Sequence, residues 1–323
     1  MSEITLGYAC INLTLGTKSR TMRLANFDLA TVREKARANL DDVIAALQWA
    51  TKHKHAHLLR FYRISSDLFP HIANPRAPEL EKLTRMAKAS STKYNLTPFA
   101  AQFRQIGEIA EKARIRLTWH ANPYIQLGSP KPEVVASSTS ELNHHADMAH
   151  YIRAGSNPHG KYVANGMVIV IHLGGTYGDI SSTKTRWFAN FKKLPRATRA
   201  LIVLENTETV PLNEIEPLAR ALKIPIVFDI FHHQINDGND TRTISEILNA
   251  VKSTWPAHRR MKVHISNQDP NKTIGAHAPY VKSIPPEFLN RNHPLDIMVE
   301  AKQKEKAVLK LIDAIKFCSY KQP

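Results

Sequence analysis

The 323-residue sequence holds two cysteines, Cys10 and Cys318, and neither belongs to a CxxC pair. Two cysteines build neither a disulfide framework nor a thiolate zinc site, so the expectation is an intracellular protein in a reducing compartment. No stretch approaches the ~18 uninterrupted apolar residues of a membrane-spanning helix. The opening Met1-Ser2-Glu3-Ile4 lacks the basic-then-apolar layout of a secretion signal. The scattered basic residues form no targeting cluster, which leaves cytoplasm, nucleoid and nucleus open. Gly/Ser linkers, low-complexity tracts and internal repeats are missing too, so one domain over residues 1–323 is expected. No GxGxxG follows a candidate strand, which weighs against a dinucleotide fold. Acidic residues are scarce beside basic ones, 28 against 44, and with neutral histidines the net charge is +16. Such an excess favours a polyanionic partner through counterion release from phosphates. Taken alone, it reads equally as general solubility.

What the chain does have is 43% hydrophobic residues in an alternating pattern of short β-rich runs and longer amphipathic stretches. The runs predict eight strands, at residues 4–8, 57–64, 115–120, 167–172, 200–205, 224–229, 261–264 and 296–300. Helical patterns lie between most of them, at 30–53, 98–113, 134–153, 183–191, 212–222, 243–254 and 302–317. In the first, Val32, Ala36, Leu40, Val43, Ile44 and Leu47 share one face. Eight strand–helix units predict an α/β fold, a TIM (β/α)8 barrel, rather than an open sheet.

Such barrels carry their chemistry at the C-terminal ends of the strands. Here six successive candidate strands end on His120, His172, Glu205, Asp229, His264 and Glu300, with His232, His233 and His277 in the loops beyond. A lone histidine at a strand end is usually a hydrogen-bonded loop residue, and a lone carboxylate a cap or a solvated charge. Six at one pole are another matter, because burying that many ionisable groups together without a cation is very costly. Imidazoles and carboxylates are ligands of divalent transition metals, and three carboxylates with several histidines can satisfy more than one ion. Multinuclear sites suit phosphodiester hydrolysis, and basic charge outside with carboxylates inside fits a nuclease.

Several segments, in chain order, carry a resemblance. They are Leu6-Gly7-Tyr8-Ala9-Cys10-Ile11-Asn12-Leu13, Phe61-Tyr62-Arg63-Ile64-Ser65-Ser66, Ile171-His172-Leu173-Gly174-Gly175-Thr176-Tyr177-Gly178, Leu204-Glu205-Asn206, Phe228-Asp229-Ile230-Phe231-His232-His233, Lys262-Val263-His264-Ile265-Ser266, Ala276-His277-Ala278 and Met298-Val299-Glu300-Ala301-Lys302. Any one is weak, but the ordered set spans nearly the whole chain. It resembles the UV damage endonucleases, structural relatives of endonuclease IV. The resemblance implies a monomer that nicks double-stranded DNA immediately 5′ of cyclobutane pyrimidine dimers or 6-4 photoproducts, and sometimes abasic sites, leaving a 3′-hydroxyl. It implies divalent metal, typically manganese (Mn2+), up to three ions per site. By motif, the ligands are His120, His172, Glu205, Asp229, His232, His264, His277 and Glu300. Glu205, Lys262 and His264 take catalytic positions, and Lys262 matches a lysine at the metal centre that is open to carboxylation. His233 reads as structural and Trp255 as packing.

Tyr8 and Tyr124 match aromatics that probe the damaged site, where wedges fill the gap left by a flipped dinucleotide. Tyr8 reads equally as a core tyrosine. Asn12 is a candidate contact to backbone or bases. Two departures stand out. After His120 the chain reads Ala121-Asn122-Pro123-Tyr124, so Pro123 replaces a probing glutamine. Proline cannot donate a hydrogen bond but keeps the shape of an apolar wedge. Asn74 stands four residues after Pro70, where the family has a histidine, with His71 nearby. Lys184, Arg186 and Lys302 are candidate phosphate contacts or plain solvated charges. Two other classes share part of this pattern. A sugar isomerase or epimerase of the xylose-isomerase-like barrel group would share the metal pole, but its small neutral substrate gives no reason for the basic excess. A non-catalytic DNA-binding barrel gives no reason for Glu205, Asp229 and Glu300.

Overall fold

The structure is a computed structural model that describes residues 3–73, 94–156, 163–289 and 293–319. Asn74 lies outside the described residues. Eight parallel strands close into a barrel in sequence order: β1 (Ile4–Ala9), β2 (Phe61–Ile64), β3 (Arg116–His120), β4 (Val168–His172), β5 (Ile202–Glu205), β6 (Ile226–Asp229), β7 (Met261–Ile265) and β8 (Leu295–Val299). The barrel closes where β1 pairs with β8 through Thr5 opposite Asp296 and Gly7 opposite Met298. Around it lie α1 (Leu29–Lys52), α2 (Ala100–Lys112), α3 (Pro132–Ala154), α4 (Ile180–Lys193), α5 (Leu212–Leu222), α6 (Ile230–Ile235), α7 (Ile244–Lys252) and α8 (Lys304–Ser319).

The eight-strand expectation holds, with shifted edges. β2 starts at Phe61 rather than residue 57, because residues 54–58 form turns. A short helix, Arg196–Arg199, precedes β5 and takes no part in the sheet. The helix patterns hold for the same reason they were legible. In α1 the predicted face is buried, and Asp28 caps the helix by accepting from the Thr31 amide at 2.8 Å. α7 opens on a capping box of Thr243 and Glu246.

Side chains alternate across a strand, so every second residue faces the barrel axis. That alternation sorts the interior into tiers. At the N-terminal end, Asp296 accepts from Thr5 Oγ1 at 2.6 Å, Arg116 Nη1 at 2.8 Å and Arg260 Nε at 2.6 Å, closing the floor with a satisfied polar plug. Above it Phe61, Met298 and Ala9 form a small apolar cluster of their own, apart from the large core between barrel and helices. Two residues beyond Phe61 and Met298 come Arg63 and Glu300, and on β7 His264 follows Lys262 by the same step, at the C-terminal mouth. The polar mouth therefore follows from strand register.

Candidate metal centre and its rim

Each strand delivers its ligand through the same period-two geometry. Glu205 is the hub, fully buried at the end of β5. Its Oε2 lies 2.8 Å from His120 Nε2 and 3.2 Å from His172 Nε2, and its Oε1 lies 2.5 Å from His264 Nδ1. Burial works against its charge, but His264 and His120 outweigh that and hold the carboxyl well below its ordinary range. Glu300, just past β8, faces Arg63 and lies 3.3 Å from His264 Nδ1. Burial opposes its charge too, and Arg63 and His264 again hold the carboxyl low.

Asp229 behaves differently because it does two jobs. It is the N-cap of α6, and its Oδ1 accepts from the amides of Phe231 at 2.7 Å and His232 at 3.0 Å. Its Oδ2 is buried with no hydrogen-bond partner. Burial pushes the Asp229 carboxyl well up, and the neighbouring Glu205 and Glu300 charges push it further. The same turn of α6 presents His232, whose Nδ1 lies 2.9 Å from Glu208 Oε2 while Nε2 lies 3.9 Å from Asp229 Oδ2.

These atoms form three overlapping groups in which all donor atoms lie within 4.8 Å of one another: His120, His172 and Glu205; Glu205, Asp229 and His232; and Asp229, His264 and Glu300. Metal fits them for a reason visible atom by atom. His120 Nδ1 donates to the Ala121 carbonyl at 2.9 Å, so its Nε2 presents a lone pair to the Glu205 carboxylate. Burial lowers the His120 pKa and favours that neutral form. Two lone pairs facing each other at 2.8 Å, an orphaned Asp229 Oδ2 and a His264 ring with neither nitrogen hydrogen-bonded are all relieved by divalent cations. Two of the histidines have an outer carbonyl that fixes a metal-binding tautomer, Ala121 for His120 and Glu300, at 3.0 Å, for His277, and Glu208 Oε2 lies 2.9 Å from His232 Nδ1.

His277 stands apart from the rest of the expected set. It lines the mouth but belongs to none of the three groups, with Nδ1 3.7 Å from Glu300 Oε2. Lys262 is fully buried two residues before His264, one tier below the ligands, with Nζ 3.4 Å from Thr118 Oγ1 and 5.2 Å from the Phe61 ring centre. Burial, with Arg63 nearby, lowers its pKa well below the lysine range and favours a neutral amine.

The rim holds Pro123 and Tyr124, exposed on the loop after β3; Pro123 lines a cavity of about 420 Å3 together with Arg63, His120, His172, Glu208, His232, His277 and Glu300. The Tyr124 hydroxyl accepts from Asn122 Nδ2 at 2.8 Å, and the ring is 57% exposed. Tyr8 and Asn12 are both buried, and for Tyr8 this is the core position that the sequence also allowed. Tyr8 sits between Gly7 and Ala9, so the strand alternation turns it toward the helices. There it packs edge-on against Trp49 and Tyr62 and is 1% exposed. Its hydroxyl accepts from Asn12 Nδ2 at 2.9 Å, and Asn12 is fully buried, accepting at Oδ1 from the Leu15 amide. The pair shapes the first loop from beneath. Lys184 is paired with Glu214, Lys302 with Asp269, and Arg186 with the Gly128 carbonyl, so all three candidate phosphate contacts are engaged within the fold. His233 packs on Phe228, and Trp255 donates to the Ile226 carbonyl, as structural residues do.

Three residues of the centre were not among the sequence candidates. Arg63, the last residue but one of β2, lies inside the cluster, bonded to Glu300, with its Nε buried and without a hydrogen bond. Burial opposes its charge, but the facing Glu300 outweighs that and holds the guanidinium pKa high. The Phe61-to-Arg63 alternation was the available signal. Glu208 and Gln126 lie in loops, where periodicity says nothing about direction.

Comparison with known proteins places this geometry. The family described as UV-endonuclease UvdE matches residues 4–322. A protein of Acanthamoeba polyphaga mimivirus, provisionally named a UV-damage endonuclease, is 33% identical over 95% of this chain and 90% of its own. The UV-damage endonuclease of Schizosaccharomyces pombe is 30% identical over 95% of this chain, which spans 50% of that longer protein. Among solved structures, the crystal structure of SacUVDE superposes with a TM-score of 0.80 over 99% of both chains at 27% identity. No helix among the described residues is long and apolar enough to cross a membrane.

Proposed function

Because the chain belongs to the UV-endonuclease UvdE family, we propose that it hydrolyses the phosphodiester immediately 5′ of UV photoproducts in double-stranded DNA, using up to three manganese ions at the barrel mouth. Its activity as a metal-dependent UV-damage endonuclease rests on that membership and on the ligand groups. The observation that carries the finer reading is the sharing of Glu205 and Asp229 among three donor groups at one pole of a chain of charge +16. His120, His172, Glu205, Asp229, His232, His264 and Glu300 would hold the ions, with His277 joining from the rim. Bound there, divalent ions lower the pKa of water and neutralise charge on the phosphate.

The chain's own groups do the rest. Arg63 presents a fixed cation beside the mouth, suited to hold a non-bridging phosphate oxygen in line. Glu208 orients His232. Lys262, as a neutral amine, can take up carbon dioxide, and the resulting carbamate would carry a negative charge under the ligand tier. Pro123 and Tyr124 project over the cavity where a damaged dinucleotide would leave the stack, the proline as an apolar wedge and the tyrosine as a stacking surface. The sugar isomerase reading finds no matching support, since the endonuclease family covers the chain from residue 4 to 322. Nicking of a duplex carrying one cyclobutane dimer, lost on chelation and restored by manganese, is the expected result. Undiminished nicking in chelator would refute the metal centre.

A further inference from the structure

Tyr177 is 44% exposed and stands on the loop after β4, beside the mouth. Its backbone lies in the left-handed region at φ 53°, a conformation that costs a non-glycine residue free energy and persists only when its surroundings enforce it. The enforcement is visible on three sides. The Tyr177 hydroxyl donates to Gln126 Oε1, on the loop that carries Pro123 and Tyr124. Arg186 lies over the ring, its guanidinium carbon 5.9 Å from the ring centre. That guanidinium is itself anchored, with Nε donating to the Gly128 carbonyl at 2.7 Å and Nη2 to Thr183 Oγ1 at 3.0 Å. Toward the metal side, Gly174 and Gly175 bring no side chain against Gln126 or the Cε2–Cζ edge of the ring. A Cβ on Gly175 would lie 3.6 Å from the ring, and one on Gly174 would press on Gln126 Cγ at 3.1 Å.

Gln126, Gly174 and Gly175 also line the cavity above the metal ligands. The ring is therefore braced toward the metal side and by Arg186 over one face, and 44% of the residue stays exposed. An aromatic surface held this rigidly, backed by a cation and left open beside a phosphate-cleaving centre, matches a base-stacking platform. Stacking a base on an aromatic ring is worth about 1–3 kcal/mol and tolerates any sequence, because every base has a π face. An arginine behind the ring adds positive potential next to the phosphates.

We propose that Tyr177 is a second base-stacking residue, which grips a nucleobase on the β4 side of the cut while Tyr124 serves the β3 side, and that Gln126 and Arg186 hold it in place. The proposal rests on the endonuclease reading above.

Steady-state nicking of a single-dimer duplex in manganese separates the two ideas, with Tyr177→Phe and Tyr177→Leu compared. Both variants lose the hydroxyl contact with Gln126, but only leucine loses the aromatic face. The expected result is phenylalanine within about 2-fold of wild type in KM and leucine raised by about 5- to 150-fold, the range that 1–3 kcal/mol implies, with kcat within about 2-fold and thermal midpoints alike. Equal KM values in all three proteins would overturn the stacking role while leaving the endonuclease reading intact. Equal losses in both variants would overturn it too, because the hydroxyl brace alone would then matter. No nicking by wild type would overturn both readings.

Discussion

Replacing Glu205 with glutamine keeps the shape of the hub and removes its charge. Glu205 belongs to two of the three donor groups, leaving only Asp229, His264 and Glu300 complete. The size of the effect can be worked out for thermal unfolding. An ion at 100 times its dissociation constant stabilises the folded state by about 2.7 kcal/mol. Unfolding entropy of about 2.1 cal/mol/K per residue gives about 0.7 kcal/mol/K for a chain of 323 residues. One occupied site is then worth about 4 °C of midpoint. Losing a charged ligand should weaken a site at least as much as losing an outer partner, 10- to 100-fold. At the 100-fold limit, the same manganese concentration leaves about 0.4 kcal/mol, under 1 °C. The assay is a pair of melts, with chelator and with manganese, for wild type and Glu205→Gln, alongside metal content by elemental analysis. The manganese-induced rise should shrink by about 3 °C for each site weakened to that limit, and bound metal by at least one ion per chain. An equal rise in both proteins would refute the role of Glu205 as the shared ligand.

Other consequences are independent of that one. Tyr8→Phe should cost about 1–3 kcal/mol of stability by leaving the buried Asn12 amide unpaired, with discrimination between damaged and intact duplex unchanged; lost discrimination at unchanged stability would return Tyr8 to the substrate. Arg63→Lys keeps the charge but not the planar fork, so kcat/KM on a dimer duplex should fall about 10-fold or more at unchanged metal content; lost metal would instead make Arg63 a scaffold for Glu300. Glu208→Gln should weaken manganese binding by about 10-fold, read by calorimetry, and unchanged affinity would contradict its hold on His232. Burial puts His144 at about 3 and His145 at about 4, against an ordinary value of 6.5. Both bind fewer protons folded than unfolded, so their contribution is present above pH 6.5 and is lost as pH falls from 6.5 toward 4, about 3 kcal/mol for each over that window. His144 packs edge-on to Phe69 with a buried, unpaired Nε2, so His144→Leu should move acid unfolding to lower pH; superimposed acid curves would refute this.

The barrel was legible because its strands are short, apolar and evenly spaced, and the mouth because strand ends are where period-two runs stop. His120, His172, Glu205 and Asp229 end their strands as expected, His264 is the last residue but one of β7, and Glu300 follows β8 directly. The sequence reading went astray where direction mattered and period gave no help. Tyr8 stayed open between a probing aromatic, implied by the resemblance, and a core tyrosine; it is one position out of phase with the inward residues Gly7 and Ala9 and is buried. α6 was missed because six residues are too few to show a 3.6 period, although Asp229 as its cap is what frees one carboxylate oxygen. The contributions of Glu208, Gln126 and Tyr177 come from loops packed against one another, a tertiary property that no single segment encodes.

The most direct test of the central claim maps the cut. A duplex with one cyclobutane dimer, labelled at the 5′ end of the damaged strand, is incubated with the protein and manganese beside an undamaged control. The account predicts a single nick immediately 5′ of the dimer, ending in a 3′-hydroxyl that a polymerase extends, with none on the control and none in chelator. Cutting of both duplexes alike, or a nick elsewhere that persists in chelator, would contradict it.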